Sequence, residues 1–175
     1  MKRLIALGLL ALCRPVLAAP PERLAAFAGT YHYSGGVGEV DALSAAIETV
    51  VQKMNFLFRG IARSRLKKGN QPSAELTLVI GADTITVVRP GQPTVSAPSN
   101  ATPVTWTSPD GDDFQVTHGL EADRLFQTFQ GPKSFSRNDF ALSADGLTLT
   151  IYTHIVAKRL PMPLDFHTTY RRDAR

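Results

Sequence analysis

The chain has 175 residues, 43% of them hydrophobic and 19% charged, a balance that excludes a disordered chain and suits one globular domain. Nineteen Lys and Arg against 15 Asp and Glu give +4, but the first 18 residues hold Lys2, Arg3 and Arg14 and no acid, which leaves 16 against 15, or +1. That near-neutral remainder removes the global-charge argument for nucleic-acid binding.

The opening MKRLIALGLLALCRPVLA reads as a secretory signal peptide. Lys2 and Arg3 form a basic start, Leu4 to Leu12 are apolar or small, and Val16 and Ala18 stand at −3 and −1 of a cleavage point after Ala18. The expectation is an exported chain, periplasmic or extracellular, with 1–18 removed and a single domain over 19–175. Such a cut discards Cys13, the only cysteine, so no disulfide is available and stability must come from packing. Lipid attachment at Cys13 is the alternative, and Leu12 stands where such signals carry a small residue.

A Pro-containing lead-in over 19–23 precedes an alternating strand at 27–33, which Ser34-Gly35-Gly36 ends. Leu43, Ile47, Val50, Met54, Leu57 and Ile61 then recur at helical spacing, with Val40 and Phe58 widening the stripe. Asp41 is the expected N-cap, Gly60 a possible break, and Gly69-Asn70 before Pro72 the stop. After Pro72 the chain becomes short β-type runs between turn residues: 75–80, 84–89, 94–96, 103–107, 114–118, 124–130, 135–142, 147–156 and 166–171. Gly81-Ala82-Asp83, SPDGD and Ala144-Asp145-Gly146 supply hairpin turns. One strand, a helical region over about 41–68 and nine further strands predict a mainly β fold, an up-and-down antiparallel barrel of about ten strands with a helical lid after the first.

These features resemble the fatty-acid-binding (intracellular lipid-binding) proteins of the calycin superfamily, and the bacterial secreted proteins described as lipocalin-like. Phe27-Ala28-Gly29-Thr30-Tyr31 is similar to the family's F-x-G-T-W first strand, and His167 to Arg171 to its closing R-x-Y-x strand. The resemblance implies a ligand-holding barrel beneath a helical lid. It implies Tyr170 as the ligand-facing tyrosine, Arg137 as an inward arginine and Gln127 as an inward glutamine. Thr168 stands where the family has its second arginine. Met54 and Phe58 would meet the ligand from the lid.

The remaining chemistry is sparse. His32, His118, His154 and His167 form no close ligand motif, so neither metal nor haem is called for, although a histidine-ligated haem or catalytic barrel remains an alternative. GxSxG, P-loop and GxGxxG patterns are absent, and Asp110, Asp112 and Asp113 read as turn residues. Arg59, Arg63, Arg65, Lys67 and Lys68 form a local basic run beside Phe56, Leu57, Phe58 and Ile61, the composition of a helix that docks on an anionic membrane surface. The expected function is a non-enzymatic, cofactor-free carrier that binds a fatty acid or other hydrophobic molecule. The alternative is a filled barrel acting through its surface, as an interaction or envelope module.

Overall fold

Alternation with period two, repeated through nine consecutive runs, leaves each strand one apolar face, and a sheet curled on itself buries all those faces together. The computed structural model describes residues 21–173; the expected targeting segment 1–18, with Cys13, lies outside them. A short helix α1 (Pro21–Ala25) is followed by β1 (Gly29–Tyr33), α2 (Gly36–Gln52) and α3 (Phe56–Gly69). Then come β2 (Glu75–Ile80), β3 (Thr84–Val88), β4 (Val95–Pro98), β5 (Val104–Thr107) and β6 (Asp113–Glu121). The chain closes with β7 (Arg124–Gln130), β8 (Ser134–Leu142), β9 (Thr148–Ala157) and β10 (Leu164–Arg172).

All pairings are antiparallel, in the order β4-β3-β2-β1-β10-β9-β8-β7-β6-β5, so β1 joins the two arms by pairing with both β2 and β10. The barrel is nearly closed. Its free edges, β4 and β5, share no ladder, and Pro93, Pro98 and Pro103 around them suit strands that lack a partner on one side. The seam is held otherwise: the Ala101 N–H donates to the His118 carbonyl (2.9 Å) and Trp106 Nε1 to the Thr94 carbonyl (3.2 Å). Val95, Ala97 and Val116 pack there against Trp106, Phe114 and Phe129.

The helices differ from the expected boundaries. α2 begins at Gly36 rather than near Asp41, because Glu39 in its first turn accepts from Thr169 N (2.8 Å) and Thr169 Oγ1 (2.6 Å), fastening the helix start to β10. The break falls at Lys53–Asn55, not at Gly60: the Asn55 side chain accepts from Leu57 N and caps α3, which runs on through Gly60. Leu43, Ile47, Val50 and Val51 bury the inner face of α2 against Leu164 and its neighbours on the barrel rim. α3 buries no residue fully, and Phe56, Leu57, Phe58 and Ile61 are exposed.

Candidate functional site

The two ends of the barrel interior are filled differently. At the end closed by α1, Leu24 and Phe27 join Tyr31, Leu76, Leu78, Leu125, Phe140 and Leu149 in one apolar cluster. Tyr31 donates its hydroxyl to the Phe27 carbonyl (2.8 Å), and Arg172 stacks over the Tyr31 ring at 4.9 Å while donating to the Ala26 carbonyl at 2.5 Å. Beneath the C-terminus of α3 the interior instead opens into a cavity of about 190 Å³. Asn70 to Ser73 roof it, Arg89 and Gln92 come from the β3–β4 connection, and Ser136, Asn138, Thr153, Thr168 and Tyr170 line its polar wall. Ile151, Ile155 and Phe166 make the apolar part.

Arg89 follows β3 directly and continues its inward parity, Ile85, Val87, Arg89. Its side chain is only half-buried by surface area because it faces the cavity, yet protein surrounds it closely enough that burial holds its pKa below the usual arginine value. Among the described residues no carboxylate pairs with it, and Tyr170 lies nearby. Arginine keeps its proton in such surroundings, so the cavity carries a positive charge without a counter-ion. Burial also raises the Tyr170 pKa, which keeps the phenol neutral and able to donate, beside Thr168 and the Ser73 backbone.

A second polar feature crosses the interior. His118, Gln127, Asn138 and Thr153 occupy successive registered positions on β6 to β9 and are linked side chain to side chain. His118 and Gln127 are fully buried. Both ring nitrogens of His118 are engaged, Nδ1 with the Ile85 carbonyl and Nε2 with Gln127, each at 2.8 Å, so axial ligation would require breaking one of these bonds. The other three histidines lie on the outer surface beside carboxylates, His32 with Asp173, His154 with Asp165 and His167 near Glu39. Among the described residues no group of three or more His, Cys, Asp or Glu comes together to hold a metal.

The expected ligand residues separate into three groups. Thr168 and Tyr170 line the cavity, whereas Gln127 is inward but enclosed between His118 and Asn138. Arg137 is a correction. It faces outward, where it bonds Asp139 (2.9 Å) and Glu121 (2.6 Å) and lies over the Phe126 ring at 4.9 Å. Those two carboxylates raise its pKa further above the usual arginine value. The register explains the reversal: Phe140 points inward, so Asn138 and Ser136 do too, and Arg137 takes the opposite face.

Met54 and Phe58 do not meet the interior cavity; they line an outer groove of about 690 Å³ between α3 and the β9–β10 connection. Of the five basic-run residues, two are committed to the helix joint. Arg59 donates to the Met54 and Gln52 carbonyls (3.0 and 2.6 Å), closing the end of α2, and Arg63 forms a two-point pair with Glu48 (2.5 and 2.8 Å). Arg65 borders the outer groove with Lys53, Lys158 and Arg159, while Lys67 and Lys68 are exposed in the last turn of α3.

No protein-family model matches the chain, and no curated protein matches it. Solved structures do. The REP1-NXSQ fatty acid transporter is 13% identical with a TM-score of 0.54, over 86% of this chain and 98% of its own. Apo lipid binding protein 8 of Caenorhabditis elegans is 10% identical with a TM-score of 0.56, over 85% and 96%. A fatty-acid-binding protein from brain tissue of Drosophila melanogaster is 14% identical with a TM-score of 0.52, over 83% and 98%. The chain therefore has the calycin fold in its fatty-acid-binding-protein-like form, and identities this low speak to fold alone.

Proposed function

We propose that this chain is an exported, non-enzymatic carrier that holds a small molecule with an apolar body and an acidic head inside the barrel. Arg89 carries the reading: a cation facing an interior cavity, unmatched by any carboxylate among the described residues. A half-buried guanidinium with no carboxylate beside it among the described residues is open to a charge-assisted bond, and a ligand anion would supply the acceptor. Tyr170 and Thr168 add hydroxyl donors beside it, and Ile151, Ile155 and Phe166 offer an apolar wall for the body. The cavity of about 190 Å³ is smaller than the roughly 300 Å³ at which pockets for drug-sized ligands begin. That favours a short or medium acyl chain over a long one. Similarity in fold to lipid-binding and fatty-acid-binding barrels supports the same ligand class.

Octanoate binding measured by calorimetry tests this. A charge-assisted hydrogen bond contributes about 1.5–3 kcal/mol, so Arg89→Gln should weaken octanoate by about 10- to 100-fold while the outward Arg137→Gln leaves it unchanged. Equal affinity of the wild type and Arg89→Gln sinks the reading.

Two further parts of the proposal concern location. Export by residues 1–18 predicts that protein recovered from its own host begins at Ala19, and a retained Met1 would remove export. The exposed Phe56, Leu57, Phe58 and Ile61, with Lys53, Arg65, Lys67, Lys68, Lys158 and Arg159 around them, fit transient docking on an anionic bilayer. Near the surface each cation contributes about 1 kcal/mol, so Lys67→Glu with Lys68→Glu should cost at least tenfold in sedimentation with phosphatidylserine-rich vesicles. Undiminished binding of that variant would exclude the surface.

A further inference from the structure

The hydrogen-bonded row inside the barrel has a fixed direction. A carbonyl only accepts, so the bond to Ile85 requires that His118 Nδ1 carry a proton and donate. Nε2 of the neutral ring is then an acceptor, and Gln127 Nε2 donates to it. Gln127 Oε1 accepts from Asn138 Nδ2 at 3.2 Å, and Asn138 Oδ1 accepts from Thr153 Oγ1 at 2.8 Å. The hydroxyl hydrogen of Thr153 is thereby committed to the row, and Thr153 turns only lone pairs toward the cavity that it lines. That is the wrong polarity for an anion.

Protonation of His118 reverses every bond beyond the ring. Nε2 becomes a donor, so Gln127 turns its oxygen to it and its NH₂ toward Asn138. Asn138 turns likewise and donates to Thr153 Oγ1, which frees the Thr153 hydrogen to point into the cavity. The new ring charge and the new hydroxyl donor both favour an anion at Arg89.

The surroundings of His118 resist that step. Burial first, and the positive charge of Arg89 in addition, hold His118 below the ordinary histidine value of 6.5, against the opposing carbonyls of Ile85 and Ala97. Arg89 from the end of β3 is the charged group acting on the ring. β4 presents the Ala97 carbonyl, β7 and β8 present the amides of Gln127 and Asn138, and Tyr170 of β10 is a neutral phenol beside Arg89.

Taking Arg89 as the anion anchor proposed above, we propose that the barrel takes up its acid as an anion together with one proton, which is held on His118. An anion cancels the charge that opposes protonation, and the proton supplies an attraction and a donor, so each ligand strengthens the other equally. The sign follows from linkage. At pH above the ligand-bound pKa of His118 the affinity does not vary; it rises as pH falls through that value and levels off below the ligand-free one. Such a carrier loads on the acidic side and releases as pH rises.

Octane-1-sulfonate is a suitable probe because its head stays anionic throughout. Calorimetry at about pH 8 and about pH 5.5 should show tighter binding at the lower pH, by up to about tenfold for each unit that the anion raises His118. Near the midpoint the heat should differ between buffers of unlike ionisation enthalpy, reporting proton uptake. Since His118→Gln could fail to fold, the wild-type ring is followed by ¹⁵N NMR through a pH titration with and without the sulfonate. A raised His118 pKa in the complex supports the proposal. Sulfonate bound in an Arg89-dependent way, with an unshifted His118 and no pH effect, overturns proton coupling while leaving the anion site intact. No sulfonate binding at either pH overturns both.

Discussion

The end of the barrel closed by α1 and the end beneath α3 are built from the same strands but filled by different chemistry. At the first, Tyr31, Leu76, Leu125, Phe140 and Leu149 are fully buried and meet one another, so the interior is solid. At the second, the same inward rows continue as Arg89, Asn138, Thr153 and Thr168 around a cavity. Moving two residues along a strand changes the filling from packing atoms to polar groups around a cavity. The first end holds the barrel shut without a disulfide among the described residues. The second carries Arg89, a guanidinium with no carboxylate partner among the described residues, which packing alone gives no reason to keep.

Substitutions should break this contrast in opposite directions. Phe140→Ala empties volume in the solid end and should lower unfolding free energy by about 3–5 kcal/mol in a urea titration. A loss below about 1 kcal/mol would mean that this end is not a packed core. Arg89→Met removes the unpaired charge and keeps the bulk, so its urea midpoint should match or exceed that of the wild type even as octanoate binding is lost. A fall in the midpoint comparable to that of Phe140→Ala would make Arg89 a structural residue and remove the asymmetry.

The architecture was largely legible because strand alternation and turn residues are local signals. Strand runs such as 75–80 and 124–130 match β2 and β7, and helices after the first strand were expected from the Leu43–Ile61 spacing. The helix boundaries were less so: Asn55, a good capping residue, outweighed Gly60, which an exposed helix face tolerates. The site was legible only in part. The resemblance alone put Arg137 inside; Phe135 and Phe140 lie at opposite parity in the same run, so the sequence does not fix its face and only the pairing register does. Arg89 had a signal, its parity with Ile85 and Val87, obscured by its position against the Pro90-Gly91 turn. The outer groove, which joins α3 to Lys158 and Arg159 across a hundred residues of chain, has no local signature at all.

The central claim is that Arg89 anchors the acid head of a ligand within the barrel. It is tested most directly by ¹⁵N NMR of the arginine Nε–H groups during titration with octanoate. The account predicts that the Arg89 Nε–H signal shifts and saturates with the binding curve, while the outward Arg137, already paired with Asp139 and Glu121, stays in place. Octanoate that binds without moving the Arg89 signal would contradict it.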